Sequence, residues 1–292
     1  MKLTCSIDEI DRLSPEKVKQ ILDSDAQGEF QLLDVRLLKE YEEGHIPGAK
    51  WIALDELEYR YTELKIKSKI IIYCRSGHRS MAAGILLCGL GFKHIYNLEG
   101  GIRNWKYDTI KGTAREGPEL ITGIEDIGDI LILALMFEKG ALDFYSKAQW
   151  MIKDEKAVKC FKYLEIMEEE HLKKLYQHYN QLPWDMKMLL GADKLPPLNR
   201  LKEQLSTIYM EGGIKINEEL MKFKDLEFID DLEALEIALE KEYMSYDFYK
   251  RTIGSIGDRK TKTLLYELAI EEQNHINVLL QQINKYEGNH QQ

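Results

Sequence analysis

No stretch of this 292-residue chain stays apolar for long. The longest unbroken run, Ile130 to Phe137, is far short of the roughly 20 residues a membrane-spanning helix needs. The opening residues, MKLTCSIDEIDRL, are too polar and acidic for a secretion signal. There is no basic stripe and the formal net charge is −10, so nucleic acid is not an expected partner. Cysteine is scarce, at 4, and no two form a Cys-x-x-Cys pair, which excludes a paired-thiolate metal site. Four scattered cysteines point to a reducing, cytoplasmic setting. Proline is scarce too, at 6, and three of these, Pro183, Pro196 and Pro197, fall close together and forbid one continuous helix there.

What remains divides into two parts. Residues 1–110 hold 16 Lys and Arg against 17 Asp and Glu, whereas the remainder holds 24 against 33, so the acidity is concentrated in the second part. Between Lys106 and Glu119 the apolar pattern lapses, and Gly112, Gly117 and Pro118 break helix. We therefore expect a domain at 1–108, a linker at 109–119 and a second domain at 120–292.

The second part repeats itself at an offset of 104 residues. Ala134, Leu135, Glu138, Asp143, Phe144 and Tyr145 recur as Ala238, Leu239, Glu242, Asp247, Phe248 and Tyr249. Glu168-x-x-His171 recurs as Glu272-x-x-His275, and Asp154 maps onto Asp258. A Glu and a His three apart share one helix face. In both copies 30 residues separate the first Glu from the second, room for a helix up, a tight turn and a helix back. Asp154 and Asp258 are suited to cap the returning helices, and Gly254 to end the third. One Glu on a first helix and Glu-x-x-His on a second, given twice, is the ligand set of a carboxylate-bridged dinuclear site in a four-helix bundle. The expected ligands are Glu138, Glu168, His171, Glu242, Glu272 and His275. Oxygen donors with imidazole suit two ions of iron, or manganese or a mixed pair, better than copper.

In a Glu-rich segment one Glu-x-x-His means little, and Glu287 with His290 is a third match whose repeat equivalent, at 186, is Met. Glu169, Glu170 and Glu271 each neighbour a chosen ligand; the repeat selects Glu168 and Glu272, because Glu271 maps onto Met167.

With these residues in view, positions 121–286 resemble the rubrerythrin-type, ferritin-like di-iron family. The resemblance implies a long crossover over about 179–228 and an oxidoreductase that reduces peroxide or dioxygen. Tyr145 and Tyr249 follow Glu138 and Glu242 by seven residues; the family often sets a hydrogen-bonding tyrosine there, and plain core packing is the alternative. Rubrerythrins usually carry a further Glu where this chain has Ser245, and a rubredoxin module that this chain lacks. An external electron donor is therefore expected.

The first part reads differently. FQLLDV (Phe30 to Val35) and KIIIY (Lys69 to Tyr73) are short apolar strands of a parallel sheet, with helix-forming segments between and after them. After Tyr73 comes Cys74-Arg75-Ser76-Gly77-His78-Arg79-Ser80 and then an apolar helical run. A loop between a strand and a helix N-terminus converges backbone N–H groups on an anion, and a cysteine there is shifted toward thiolate. Arg75 and Arg79 add positive charge, so Cys74 is the expected nucleophile and Arg75, Ser76, Gly77, His78, Arg79 and Ser80 the expected substrate-binding loop. Cys88, in the apolar helix, is expected in the core, whereas Cys5 and Cys160 show no motif.

LDVRLLKEYEEGHIPGA (Leu33 to Ala49), CRSGHRS and YNLEGGIRNW (Tyr96 to Trp105) together resemble the rhodanese family over about 8–105. The resemblance implies that Cys74 takes a sulfane sulfur as a persulfide, from thiosulfate or a persulfide donor, and passes it to a thiol or cyanide. Phosphatases on the same scaffold place five residues between Cys and Arg, whereas here Arg79 follows Cys74 after four, which favours sulfur transfer. Asp34 and Arg36 are expected to brace the loop.

The expected fold is thus an α/β rhodanese domain, a parallel sheet flanked by helices, followed by an all-α ferritin-like four-helix bundle. The expected function is a cytoplasmic sulfurtransferase joined to a di-iron oxidoreductase, with a homodimer as the oligomer to look for. The alternative is an iron-storing or iron-sensing bundle with a persulfide-carrier module.

Overall fold

A computed structural model of the chain describes residues 10–112, 127–150, 152–183 and 231–289. Cys5, residues 113–119 of the expected linker, residues 184–228 of the expected crossover and His290 lie outside the described residues. By its internal contacts the chain falls into two compact units, Met1–Arg115 with Tyr249–Tyr266, and Glu116–Phe248 with Glu267–Gln292.

The N-terminal region is an α/β layer structure. Its elements are β1 (Asp11–Leu13), α1 (Pro15–Ser24), β2 (Phe30–Asp34), α2 (Leu38–Glu42), β3 (Ala49–Trp51), α3 (Leu57–Arg60), β4 (Lys69–Tyr73), α4 (His78–Gly89) and β5 (Ile95–Leu98). The five strands form one sheet in the order β1-β5-β4-β2-β3, and each pairing is parallel. The two strands expected from sequence are its centre, with Leu32 opposite Ile71 and Asp34 opposite Tyr73. Both faces of that centre are covered, which is why KIIIY is a continuous apolar run and not an alternating one. Leu33, Ile70 and Ile72 pack with Leu57, Ala83 and Leu87 on one side, while Leu32, Ile71 and Tyr73 pack with Val18, Tyr41 and Ile46 on the other. Cys88 is half-buried against the first of these clusters and is disulfide-bonded, so it is not the simple core thiol expected. Parallel sheets of this kind bind ligands at the carboxyl ends of their strands. Asp34, Cys74 and Leu98 all lie at that end. Beyond Leu98, Ile110 exchanges both backbone hydrogen bonds with His45 at 2.9 Å, so the structured region runs past residue 108.

The C-terminal region is helical. Four long helices are described: α5 (Ile127–Ala148), α6 (Glu155–Gln181), α7 (Asp231–Ser255) and α8 (Arg259–Asn289). Asp154 caps α6, accepting from Lys156 N and Ala157 N at 2.9 Å. Asp258 caps α8, accepting from Thr261 N at 2.7 Å. Gly254 sits within the last turn of α7 and does not adopt the left-handed cap conformation. One core cluster draws on all four helices, through Phe144, Phe161, Leu235 and Leu279 among others. Buried positions on α6 recur at helical spacing: Ala157, Phe161, Leu164, Glu168, His171, Leu175 and Tyr179. Two ionisable residues therefore stand in an otherwise apolar stripe. Among the described residues no helix is long and apolar enough to cross a membrane.

Candidate sulfur site and candidate metal centre

Cys74 directly follows the central strand β4 and is buried. Gly77 N donates to its sulfur at 3.1 Å and the Ser80 hydroxyl at 3.4 Å. Burial pushes the thiol pKa up, but the Ser80 hydroxyl and the backbone N–H groups of Ser80, Ser76 and Gly77 outweigh it, so the net shift is downward. The loop closes around the sulfur because two glycines allow it. Gly77 has φ +93°, and Gly101 has φ +63° with the position of a Cβ only 2.3 Å from Cys74 O. Close approach at Gly101 lets Ile102 N donate to Cys74 O at 2.8 Å and Arg103 N to Arg75 O at 3.2 Å. Asn97 Nδ2 holds Gly77 O from β5 at 3.2 Å.

The charged groups of the loop part company. Arg75 is exposed at the mouth, and His78 is exposed with its Nδ1 3.1 Å from Ser76 Oγ. Arg79, expected to bind substrate, is held in a two-pronged pair with Glu40 of α2, at 2.7 and 2.8 Å. That pair holds Glu40 down at about 2. Asp34 and Arg36 form a buried pair at 2.6 Å, and Arg36 also donates to Gly44 O at 2.7 Å, tying the end of β2 to the segment after α2. Both Glu40 and Gly44 lie inside the motif that runs from Leu33 to Ala49. Asn97 and Gly101 lie inside the one from Tyr96 to Trp105.

In the helical region the six residues of the repeat are brought together. Glu138, Glu168, His171 and Glu272 form one group of donors, and Glu168, Glu242, Glu272 and His275 a second, each with its ligand atoms within 4.8 Å of one another. Glu168 and Glu272 are common to both. His171 Nδ1 lies 3.0 Å from Glu138, 3.1 Å from Glu168 and 3.1 Å from Glu272. His275 Nδ1 lies 2.9 Å from Glu242, 3.3 Å from Glu272 and 3.6 Å from Glu168. All six are at most 2% exposed.

Such a cluster costs ~several kcal/mol per desolvated charge unless something compensates it. The titration reflects that cost. Burial, helped by Glu168, holds the Glu138 carboxyl well above its usual range, and burial raises Glu242 to about 7. Burial works against the charged imidazoles, yet Glu242 and Glu272 push His275 up to about 12, and Glu138, Glu272 and Glu168 raise His171 likewise. Hydrogen bonds remain unmade as well: Glu138 Oε1 and both oxygens of Glu272 are buried without an aligned hydrogen-bond donor. Orphaned carboxylate oxygens on α5 and α8, beside the Glu168 and Glu242 carboxylates of α6 and α7, fit a pair of divalent cations.

Around this cluster, Tyr145 donates its hydroxyl to Glu242 Oε1. Tyr249 is buried at 1% exposure. Cys160 is buried in the apolar core, and burial aided by Glu242 raises its thiol to about 11, which keeps it neutral. Glu271 reaches His171 from the other side, its Oε2 2.9 Å from Nε2, and Lys174 pairs with its second oxygen. Contacts with His171 and Lys174 hold Glu271 down at about 2. The Glu271 and Lys174 roles escape a reading of the repeat, since neither residue recurs.

Residues 14–108 match the Rhodanese-like domain family. The chain is 43% identical over 96 residues to the candidate sulfur carrier protein YrkF of Bacillus subtilis, covering 33% of this chain and 51% of that one. It is 35% identical over 86 residues to a sulfurtransferase of Allochromatium vinosum, covering 30% of this chain and 80% of that protein. Against the thiosulfate sulfurtransferase GlpE of Ectopseudomonas mendocina it is 27% identical over 111 residues, covering 38% of this chain and 98% of the relative. The chain thus spans about half the length of the first of these, and the family match lies in its N-terminal part, at residues 14–108.

Proposed function

Because the chain belongs to the rhodanese-like family through residues 14–108, we propose that its first domain, 1–108, transfers sulfane sulfur through Cys74. We further propose that residues 120–292, after a 109–119 linker, form a ferritin-like four-helix bundle of the rubrerythrin type, whose dinuclear metal centre reduces peroxide or dioxygen.

In the sulfur step the Cys74 thiolate attacks the outer sulfur of thiosulfate. The S–S bond breaks and sulfite leaves with its electron pair, so Cys74 carries a persulfide. A thiol or cyanide then takes the outer sulfur, the persulfide bond breaks, and the Cys74 thiolate returns. Gly77 N–H and the Ser80 hydroxyl stabilise negative charge on the sulfur in both halves. Arg75 at the mouth attracts the anionic donor, while the Arg79–Glu40 pair positions the start of α4. The observation that carries this reading is a cysteine sulfur held by a backbone N–H and a hydroxyl at a strand-to-helix loop. Cys74→Ser should abolish thiosulfate-to-cyanide transfer and leave metal content unchanged; transfer persisting in that variant would eliminate the nucleophile.

For the bundle, the supporting observation is that two donor groups share Glu168 and Glu272 in a buried core. When bound, a pair of iron ions supplies the two electrons that peroxide reduction requires. The chain's own part is to provide four carboxylates and two imidazoles, to keep water out, and to hold Glu242 through Tyr145. An external electron donor completes the cycle. The metal-loaded chain should consume peroxide in the presence of a reductant, and Glu272→Ala should not.

A carrier reading is favoured by one finding, the identity to a protein named as a sulfur carrier. In that reading Cys74 hands its sulfur to a partner and the bundle stores or senses iron. Reversible metal exchange without peroxide turnover would select it.

A further inference from the structure

Resting on the dinuclear reading, we infer that the two metal positions are unequal by construction: the His171 side holds its ion more tightly because Glu271 and Lys174 back that histidine and, among the described residues, nothing comparable backs His275.

The argument begins with where the repeat fails. Glu271 corresponds to Met167 and Lys174 to Val278, at the same offset of 104. Both members of the Glu271–Lys174 ion pair are therefore replaced together, by an apolar couple. Both histidines face the carboxylates through Nδ1, which leaves each Nε2 directed away from the cluster. His171 Nε2 has Glu271 Oε2 2.9 Å away, close although not aligned as a hydrogen bond. His275 Nε2 is buried with no hydrogen-bond partner among the described residues. The neighbours of its ring are Tyr163, edge-on with centroids 6.2 Å apart, and His171, stacked at 5.3 Å.

A histidine that ligates through one nitrogen is steadied by a carboxylate on the other: the tautomer and ring orientation are fixed and the ligand becomes more basic. Losing that partner typically weakens metal binding by about 10–100-fold. A buried, unpaired Nε2–H is penalised instead. Glu271 and Lys174 are thus positioning residues acting through His171. The ion on the Glu242–His275 side is the one that leaves first.

The test uses the full chain loaded with Mn2+ and challenged with rising chelator, counting the ions retained per chain. Like charges repel, so two steps of release arise in any pair of close ions; the informative quantity is which step each variant moves. Glu271→Met makes the His171 side resemble its counterpart, and should move the second step to about 10–100-fold less chelator while leaving the first near its place. Met167→Glu supplies the missing carboxylate to the His275 side and should move the first step to more chelator. Movement of only the first step in Glu271→Met, an equal shift of both, or no shift in either variant would overturn the inference while leaving the dinuclear centre intact. A wild-type chain that never holds more than one ion would overturn both.

Discussion

The Ser80 hydroxyl lies 3.4 Å from the Cys74 sulfur and donates to it from the first turn of α4. Burial opposes the thiolate, and this donor with three backbone N–H groups reverses the balance. A hydrogen bond to a charged group contributes about 1.5–3 kcal/mol, equivalent to about 1–2 pH units. In Ser80→Ala the alkaline-rising limb of sulfur transfer should therefore move to higher pH, with rates converging once both thiols are ionised. An unmoved limb would mean that the backbone alone sets the ionisation.

Gly101 stands against the loop with φ +63°, and a Cβ there would come within 2.3 Å of Cys74 O. Gly101→Ala should displace that carbonyl and break the Ile102 N to Cys74 O bond. We expect a destabilisation of at least ~2 kcal/mol by denaturant titration and a loss of transfer out of proportion to it. Full activity with native stability would contradict this account of the loop.

Without metal, Tyr145 satisfies one oxygen of a buried carboxylate. Tyr145→Phe leaves that oxygen without its donor, at a cost of about 1–3 kcal/mol in the metal-free chain. Metal content should be retained, since Tyr145 is outside the proposed ligand set. Loss of both ions in Tyr145→Phe would move the tyrosine into the ligand set.

On the dinuclear reading, protons and metal compete for the same six residues, and the direction follows from the shifts. Glu242 is raised to about 7, so between about 4.3 and that value the folded metal-free chain binds the extra proton and loses stability as pH rises. His275, raised to about 12, adds stability that is complete below about 6.5 and is lost as pH climbs toward the folded value. Metal uptake displaces these protons and so strengthens with pH. The gap in melting temperature between loaded and metal-free chain should be wider at about pH 8 than at about pH 6. Calorimetry in buffers of different ionisation enthalpy should show net proton release on Mn2+ binding. A gap that narrows with pH would refute the protonated cluster.

Long elements with strong period were legible from sequence, and short ones were not. β2 and β4 carry enough apolar residues over five positions to be recognised, whereas β1, β3 and β5 have only three or four residues each, too few to show a period. The helix caps at Asp154 and Asp258 were readable because the residue type and the start of the helical pattern coincide. The residues of the buried Glu and His cluster were readable through repetition: Glu168 and His171 interrupt an apolar stripe, and Glu272 and His275 do so again at the same offset. The Arg79–Glu40 pair was not legible, because the two residues lie 39 positions apart and no local pattern links them. Glu271 was set aside for failing the repeat, and that failure is what gives the residue its separate place behind His171.

The bundle assignment is tested most directly by counting metal. The full chain, reconstituted anaerobically with Fe2+ and freed of loose ions, should hold two ions per chain by elemental analysis. His171→Ala and Glu272→Ala should each lose at least one. Two ions retained in both variants would contradict the ligand set, and a folded wild-type chain that holds none would contradict the dinuclear centre itself.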